Sequence, residues 1–269
     1  MQDLSFVSET YSKRKPKDCR LSISVRRDGF SFLIQHKQNV EAYAYTIVPS
    51  RDKEEAFRNF LSQEILQQKF GAVTVIIVTD RYTLVPKSFY SDSMVNSYAN
   101  FNFSTKESEA VISYESINTD AVVLFPIETA IWSLCRSTFK AQEMVSYIPQ
   151  VAPIMEANFK TKGEKLCVSV ENTYFTSLFV KDKQIRFSNV FKFKNVNDFT
   201  FYIMNIFEQL HLDPLKVTVE LSGKITKKSP HFAALCVFVK HVTIVPSSVT
   251  LPKFPHMLFY NHLNSALCE

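Results

Sequence analysis

The sequence predicts an α/β fold made of one β-β-β-α-β unit used twice. Three observations predict it. Residues 21–35 align without a gap to residues 166–180, each stretch reading as a strand pair. Five of those fifteen positions are identical: Leu21, Ser24, Val25, Phe30 and Leu33 match Leu166, Ser169, Val170, Phe175 and Leu178. A helix and a fourth strand then follow each pair in the same order, at nearly the same offset. Self-similarity held through several elements marks a duplicated structural unit.

In the first copy, Leu21-Ser22-Ile23-Ser24-Val25 alternates, Arg26-Arg27-Asp28-Gly29 interrupts, and Phe30-Ser31-Phe32-Leu33-Ile34 resumes. Two β-rich runs flanking Asp-Gly make a hairpin. A third run, Ala42 to Val48, stops at Pro49. Between residues 51 and 70, Ala56, Phe57, Phe60, Leu61, Ile65 and Leu66 fall at helical spacing, and Gly71 is a stop signal. Val73 to Val78 is an unbroken apolar-rich run, the mark of a buried fourth strand. The second copy repeats this order. Leu166 to Val170, Phe175 to Val180 and Gln184 to Val190 are its strands. Asp198 to Leu210 is its helix, with Phe199, Tyr202, Ile203, Ile206 and Phe207 on one side. Lys216 to Leu221 is its fourth strand, ending at Ser222-Gly223.

The remaining segments divide the chain. Residues 1–20 read as a flexible basic arm that the fold does not need. Residues 21–158 form the first unit, with an insertion at 81–120 rich in Ser, Asn and Tyr. After it the first unit resumes with a strand from Ala121 to Phe125 and a helix around Glu128 to Phe139; the domain junction lies near Val151-Ala152-Pro153. Residues 159–269 form the second unit, which adds a helix from Pro230 to Val239, a strand from His241 to Val245, and a tail containing Pro246, Pro252 and Pro255.

Composition bounds the function. The chain has 269 residues, 46% hydrophobic and 21% charged, as in folded domains with a sizeable core. It has four glycines, where average usage of ~7% would give about nineteen. That argues against enzymes built on several glycine-rich phosphate loops. A net charge of +5 is mild for a dedicated nucleic-acid binder. The five cysteines form no C-x-x-C pair, and Cys167 and Cys236 sit in apolar runs where they read as core residues. These features suit a reducing compartment. The apolar runs stay under ten residues, short of the ~20 a bilayer requires. A cytoplasmic protein without a membrane span is expected.

Three antiparallel strands, a helix and a parallel fourth strand, all duplicated, resemble the ribonuclease-H-like module as paired in actin-like ATPases. The chain also resembles an uncharacterised bacterial family with that fold, through Leu21 to Ile34 with its Asp-Gly hairpin and through Tyr82-Thr83-Leu84-Val85-Pro86. The resemblance covers residues ~20–250 and transfers architecture better than activity. In actin-like ATPases each first hairpin carries an Asp for metal and water, followed by small residues whose N–H groups approach phosphate. The resemblance places the two Asp positions on Ser24 and Ser169. It places the glycine positions on Arg26, and on Glu171, Asn172 and Thr173. A hydroxyl does not replace a carboxylate at a hard cation, and Glu171 would set a negative charge beside a triphosphate. Both phosphate loops therefore read as degraded. Ser222-Gly223-Lys224 occupies the place of the adenosine loop with a single glycine, and reads equally as a left-handed turn after a strand. Ser24, Arg26, Asn172, Thr173, Ser222, Gly223 and Lys224 are thus the candidate residues of a vestigial nucleotide cleft.

Other chemistries find less support. A two-metal nuclease needs acids on the first strand, the helix and the fourth-strand end; Asp80, Glu54, Glu55 and Glu64 supply the last two, and the first is missing. The six histidines follow no zinc spacing, and no P-loop or G-x-S-x-G is present. Lys13, Arg14, Lys15 and Lys17 are a possible phosphate contact for nucleic acid, against the plainer reading of a solvated leader. Tyr90, Tyr98, Phe101 and Phe103 in the insertion combine rigid apolar area with adaptable neighbours, and part of the insertion is expected to form an exposed patch. The sequence favours a non-enzyme: an actin-like interaction or scaffold module with no catalytic residue, no metal and no cofactor, using a protein partner or self-association. The alternative is an ATP binder, kinase-like, using the interdomain cleft.

Overall fold

The computed structural model describes residues 4–48, 53–245 and 259–269. The first half runs β1 (Leu4–Val7), β2 (Arg20–Arg26), β3 (Gly29–His36), β4 (Asn39–Ile47), α1 (Lys53–Leu61) and β5 (Ala72–Ile77). It continues through β6 (Thr83–Pro86), α2 (Val95–Asn102), β7 (Glu109–Glu115), β8 (Ala121–Glu128), α3 (Thr129–Thr138), β9 (Val145–Pro149) and α4 (Ala152–Asn158). The second half is β10 (Glu164–Val170), β11 (Tyr174–Lys181), β12 (Gln184–Lys192), α5 (Val196–Gln209), β13 (Thr218–Gly223), α6 (Pro230–Phe238) and β14 (His241–Ile244). α7 (Tyr260–Asn264) returns to the first half.

The duplicated unit is present in both halves. β2, β3 and β4 are antiparallel neighbours and β5 lies parallel to β2. β10, β11, β12 and β13 repeat the arrangement. The gapless alignment is also the structural register: Leu21 faces Ile34, and Leu166 faces Phe179. The third-strand pairing slips after Ile34 in one half and after Phe179 in the other, equivalent positions of the unit. An irregularity repeated at one position is a feature of the unit rather than a local defect.

Each sheet buries apolar side chains under its helices. Phe30 packs on Phe57 of α1 with ring centroids 4.7 Å apart. Its equivalent, Phe175, packs edge-on to Phe199 of α5 at 5.2 Å. On the first sheet, α7 inserts His262, whose Nδ1 and Nε2 each lie 2.8 Å from a hydroxyl, of Ser22 and Ser31. Burial, with a smaller contribution from the Arg26 charge, pushes this imidazole down to about 3.

The structure corrects several expectations. Residues 4–19 are not a flexible arm: β1 pairs with β4, the Tyr11 hydroxyl donates to Gln68 Oε1 at 2.7 Å, and Cys19 is sealed in the core. The run from Ala121 does not rejoin the main sheet. It is β8, the centre of a separate sheet ordered β6-β8-β7, which extends the insertion to Glu128. The place beside β5 is taken by β9, so the main sheets read β1-β4-β3-β2-β5-β9 and β12-β11-β10-β13-β14. The first helix ends at Leu61, and Glu64–Leu66 is a separate 3-10 turn. Cys236 is exposed, because α6 buries only Leu235. Pro49, Arg51, His256 and the prolines at 246, 252 and 255 lie outside the described residues.

Candidate functional site at the interdomain cleft

The C-terminal ends of β2, β5, β10 and β13 meet where the two halves face each other, the place where open α/β sheets receive ligands. Each hairpin contributes its turn there. Arg26 ends β2, and Arg27-Asp28 makes the tight turn into β3. Gly29 follows with φ +154°, and a Cβ on it would lie 2.0 Å from the Thr46 carbonyl oxygen. Glu171, Asn172 and Thr173 form the equivalent turn from β10 to β11, where the Glu171 N–H donates to the Tyr174 carbonyl oxygen at 2.8 Å. Gly223 ends β13 with φ +83°, and a Cβ on it would lie 2.3 Å from the Val170 carbonyl oxygen. The glycine therefore allows close approach to β10 and delivers Lys224, whose N–H donates to that same carbonyl at 2.7 Å.

The side chains at these turns pair with one another across the cleft. Arg26 Nη1 donates to Glu171 Oε1 at 2.5 Å, and both side chains are buried. Lys224 Nζ donates to Asp28 Oδ2 at 2.5 Å and lies 3.9 Å from Glu171 Oε2. Asn172 Nδ2 donates to the same Asp28 oxygen at 2.7 Å. Two cations and two carboxylates thus form one network with no net charge. Burial works against the Arg26 charge, but the Glu171 carboxylate outweighs it and raises the guanidinium further. Burial likewise acts to raise Asp28, while Lys224 and then Arg26 hold its carboxyl below the usual range. Tyr174, beside Glu171, is pushed well up by burial and by that carboxylate.

Of the candidate residues, the structure brings Arg26, Asn172 and Lys224 into this network, with Gly223 as their backbone support. Ser24 and Ser222 are buried within their strands, and the Ser24 hydroxyl has no hydrogen-bond partner. Ser169, where the resemblance expects the other acid, is buried too. Thr173 lies outside the network and lines an adjoining cavity of about 340 Å³ with Arg27, Val48 and Tyr174. A second cavity, of about 470 Å³, opens beside the end of β5, where Lys192 and Arg81 pair with Asp80 and Glu109. Asp28 was missed as a site residue, since Asp-Gly in a hairpin is fully accounted for by the turn. Among the described residues no three His, Cys, Asp or Glu side chains gather as metal ligands.

In the insertion, Tyr90 and Tyr98 pack against Val85, Val122 and Leu124. Phe103 is half-buried. Phe101 is 90% exposed and Phe89, not singled out from sequence, is 73% exposed. Arg14 is tied to Glu41 at 3.1 Å, while Lys13, Lys15 and Lys17 remain exposed. No described helix is long and apolar enough to cross a membrane.

A family model described as "Protein of unknown function (DUF3822)" matches residues 8–242. The chain belongs to this family. No curated protein matches the DUF3822 chain. Among solved structures it is similar to a Bacteroides thetaiotaomicron protein with actin-like ATPase fold and unknown function. That likeness has a TM-score of 0.76 at 18% identity, over 87% of this chain and 93% of the other. It is also similar to a chain of the PilM-PilN type IV pilus biogenesis complex, with a TM-score of 0.58 at 10% identity, covering 95% and 100%. A third is the ethanolamine utilization protein EutJ from Carboxydothermus hydrogenoformans, with a TM-score of 0.52 at 8% identity, covering 93% and 90%. The DUF3822 chain has the actin-like ATPase fold.

Proposed function

We propose that this protein is a non-hydrolysing member of the actin-like fold that acts as an interaction or scaffold module in the cytoplasm. The observation that carries this reading is the closed ion-pair network at the turns where actin-like ATPases hold phosphate. A triphosphate there would meet the carboxylates of Asp28 and Glu171, and the nearby cations are already paired with them. The acid positions that would serve metal and water are buried serines. A neighbour of similar fold is known in a complex, PilM with PilN, which favours a protein partner for this chain as well. The competing reading is an ATP binder that uses the 470 Å³ cavity beside β5. Magnesium-dependent phosphate release from ATP by the purified full chain separates the two. We expect none above the no-protein background. Turnover that is lost on changing Ser24 or Ser169 to alanine would overturn the proposal.

A further inference from the structure

The small sheet of the insertion ends in β6, and the main sheet of the second half ends in β12. These two edge strands face each other across a groove of about 720 Å³. All six residues from 184 to 189 line it. Ile185 packs on the first core and Phe187 on the second, so they lie on opposite faces of the sheet, and a groove lined by both follows the strand's edge. Tyr82 and the β6 residues Thr83, Leu84 and Pro86 line the opposite wall. Among the described residues one hydrogen bond spans the two walls, between the Tyr82 hydroxyl and Ser188 Oγ at 2.7 Å. An unpaired edge offers a row of backbone donors and acceptors, and here two such rows confront one space.

The groove also carries unspent charge. Lys183, Arg186 and Asp120 line it. None of the three has a salt-bridge partner among the described residues. The balance is one positive charge in excess. Leu84, Ile185 and Phe187 supply apolar surface between the polar positions.

We propose that the groove between β6 and β12 receives an extended segment of a partner protein, added as a strand against these edges. The segment carries acidic side chains toward Lys183 and Arg186 and apolar ones toward Leu84, Ile185 and Phe187. Backbone pairing provides affinity in this mode, and alternate side chains provide selectivity. The inference rests on the reading of this chain as an interaction module and names the partner's chemistry.

Panning a random linear heptapeptide phage library against the purified full chain tests it. The expected result is enrichment of sequences that combine apolar residues with Asp or Glu. A synthetic copy of the enriched peptide then slows amide hydrogen exchange at residues 83–85 and 184–189. Arg186→Glu, at an exposed position, weakens its binding at least tenfold with the melting temperature unchanged, and Lys183→Glu weakens it less. No enrichment, protection elsewhere, or full affinity in Arg186→Glu would overturn the proposal. Concentration-dependent protection of both edges without peptide would assign the groove to a second copy of this chain and overturn it as well. ATP turnover bears on the preceding proposal alone, so the failure of either is read separately.

Discussion

Arg26 and Glu171 hold the same position in the two copies of the duplicated unit, and they form a salt bridge with each other at 2.5 Å across the cleft. One ancestral turn position carries opposite charges in its two descendants, and the pair joins the halves where the fold would otherwise open toward a ligand. Removing one partner of a buried pair strands the other's charge, at a cost of about 3–5 kcal/mol. Glu171→Ala should therefore lower the urea-unfolding free energy by about that amount. Arg26→Met combined with Glu171→Leu should return to within about 1 kcal/mol of the parent, since apolar replacement of both partners is often neutral. A double variant as unstable as the single would show that the pair holds the halves through more than charge compensation.

The N-terminal residues contribute to the fold. Deleting residues 1–19 removes β1 from the edge beside β4, the Arg14–Glu41 bridge and the Tyr11–Gln68 hydrogen bond, and takes Cys19 from the core. Burying even one sizeable apolar side chain is worth about 1.5–3 kcal/mol, so the truncated chain should lose at least about 2 kcal/mol. An unchanged melting temperature on truncation would show that β1 contributes nothing.

His262 gives stability a pH dependence with a definite sign. Its folded-state pKa, about 3, lies far below the ordinary 6.5. Between those values the unfolded chain binds a proton that the folded chain does not, so stability falls as the pH drops. The contribution is complete above pH 6.5 and is lost progressively toward pH 3. The slope is about 1.4 kcal/mol per pH unit for one proton. His262→Gln should start less stable at pH 7.5 and decline less steeply between pH 6 and 4, by about that slope. Parallel curves for the two proteins would contradict the assignment.

Two glycines with positive φ should respond differently to alanine. Gly163 has φ +76° with nothing within 4 Å of an added Cβ, so Gly163→Ala should cost only the left-handed backbone strain, about 1–2 kcal/mol. Gly223 adds a backbone clash, and Gly223→Ala should cost clearly more while displacing Lys224 from Asp28. Equal losses in denaturant titrations would mean that β13 and β10 separate freely at this end.

The duplicated unit was legible because its strands alternate and its Asp-Gly turn fixes the hairpin register. What was not legible has physical reasons. β1 is four residues long, too short for alternation to stand out. β9 is five residues, only its last two buried, and it ends in Pro149. β8 is a continuous buried run, which reads like a parallel core strand although its partners are β6 and β7. In the cleft, the residue types were visible but not the pairing. The alignment already set Arg26 against Glu171, a charge reversal at one repeat position; only the facing of the two halves turns that into a bridge.

In the proposed function, paired side chains occupy the end of the cleft that would otherwise receive a nucleotide. The melting temperature of the full chain with and without 1 mM magnesium-ATP tests it most directly. A ligand present at 100 times its Kd stabilises the folded state by about 2.7 kcal/mol, a shift of several degrees. The account predicts no shift in the parent protein. A stabilisation of that size, lost in the Arg26→Met, Glu171→Leu double variant, would contradict it.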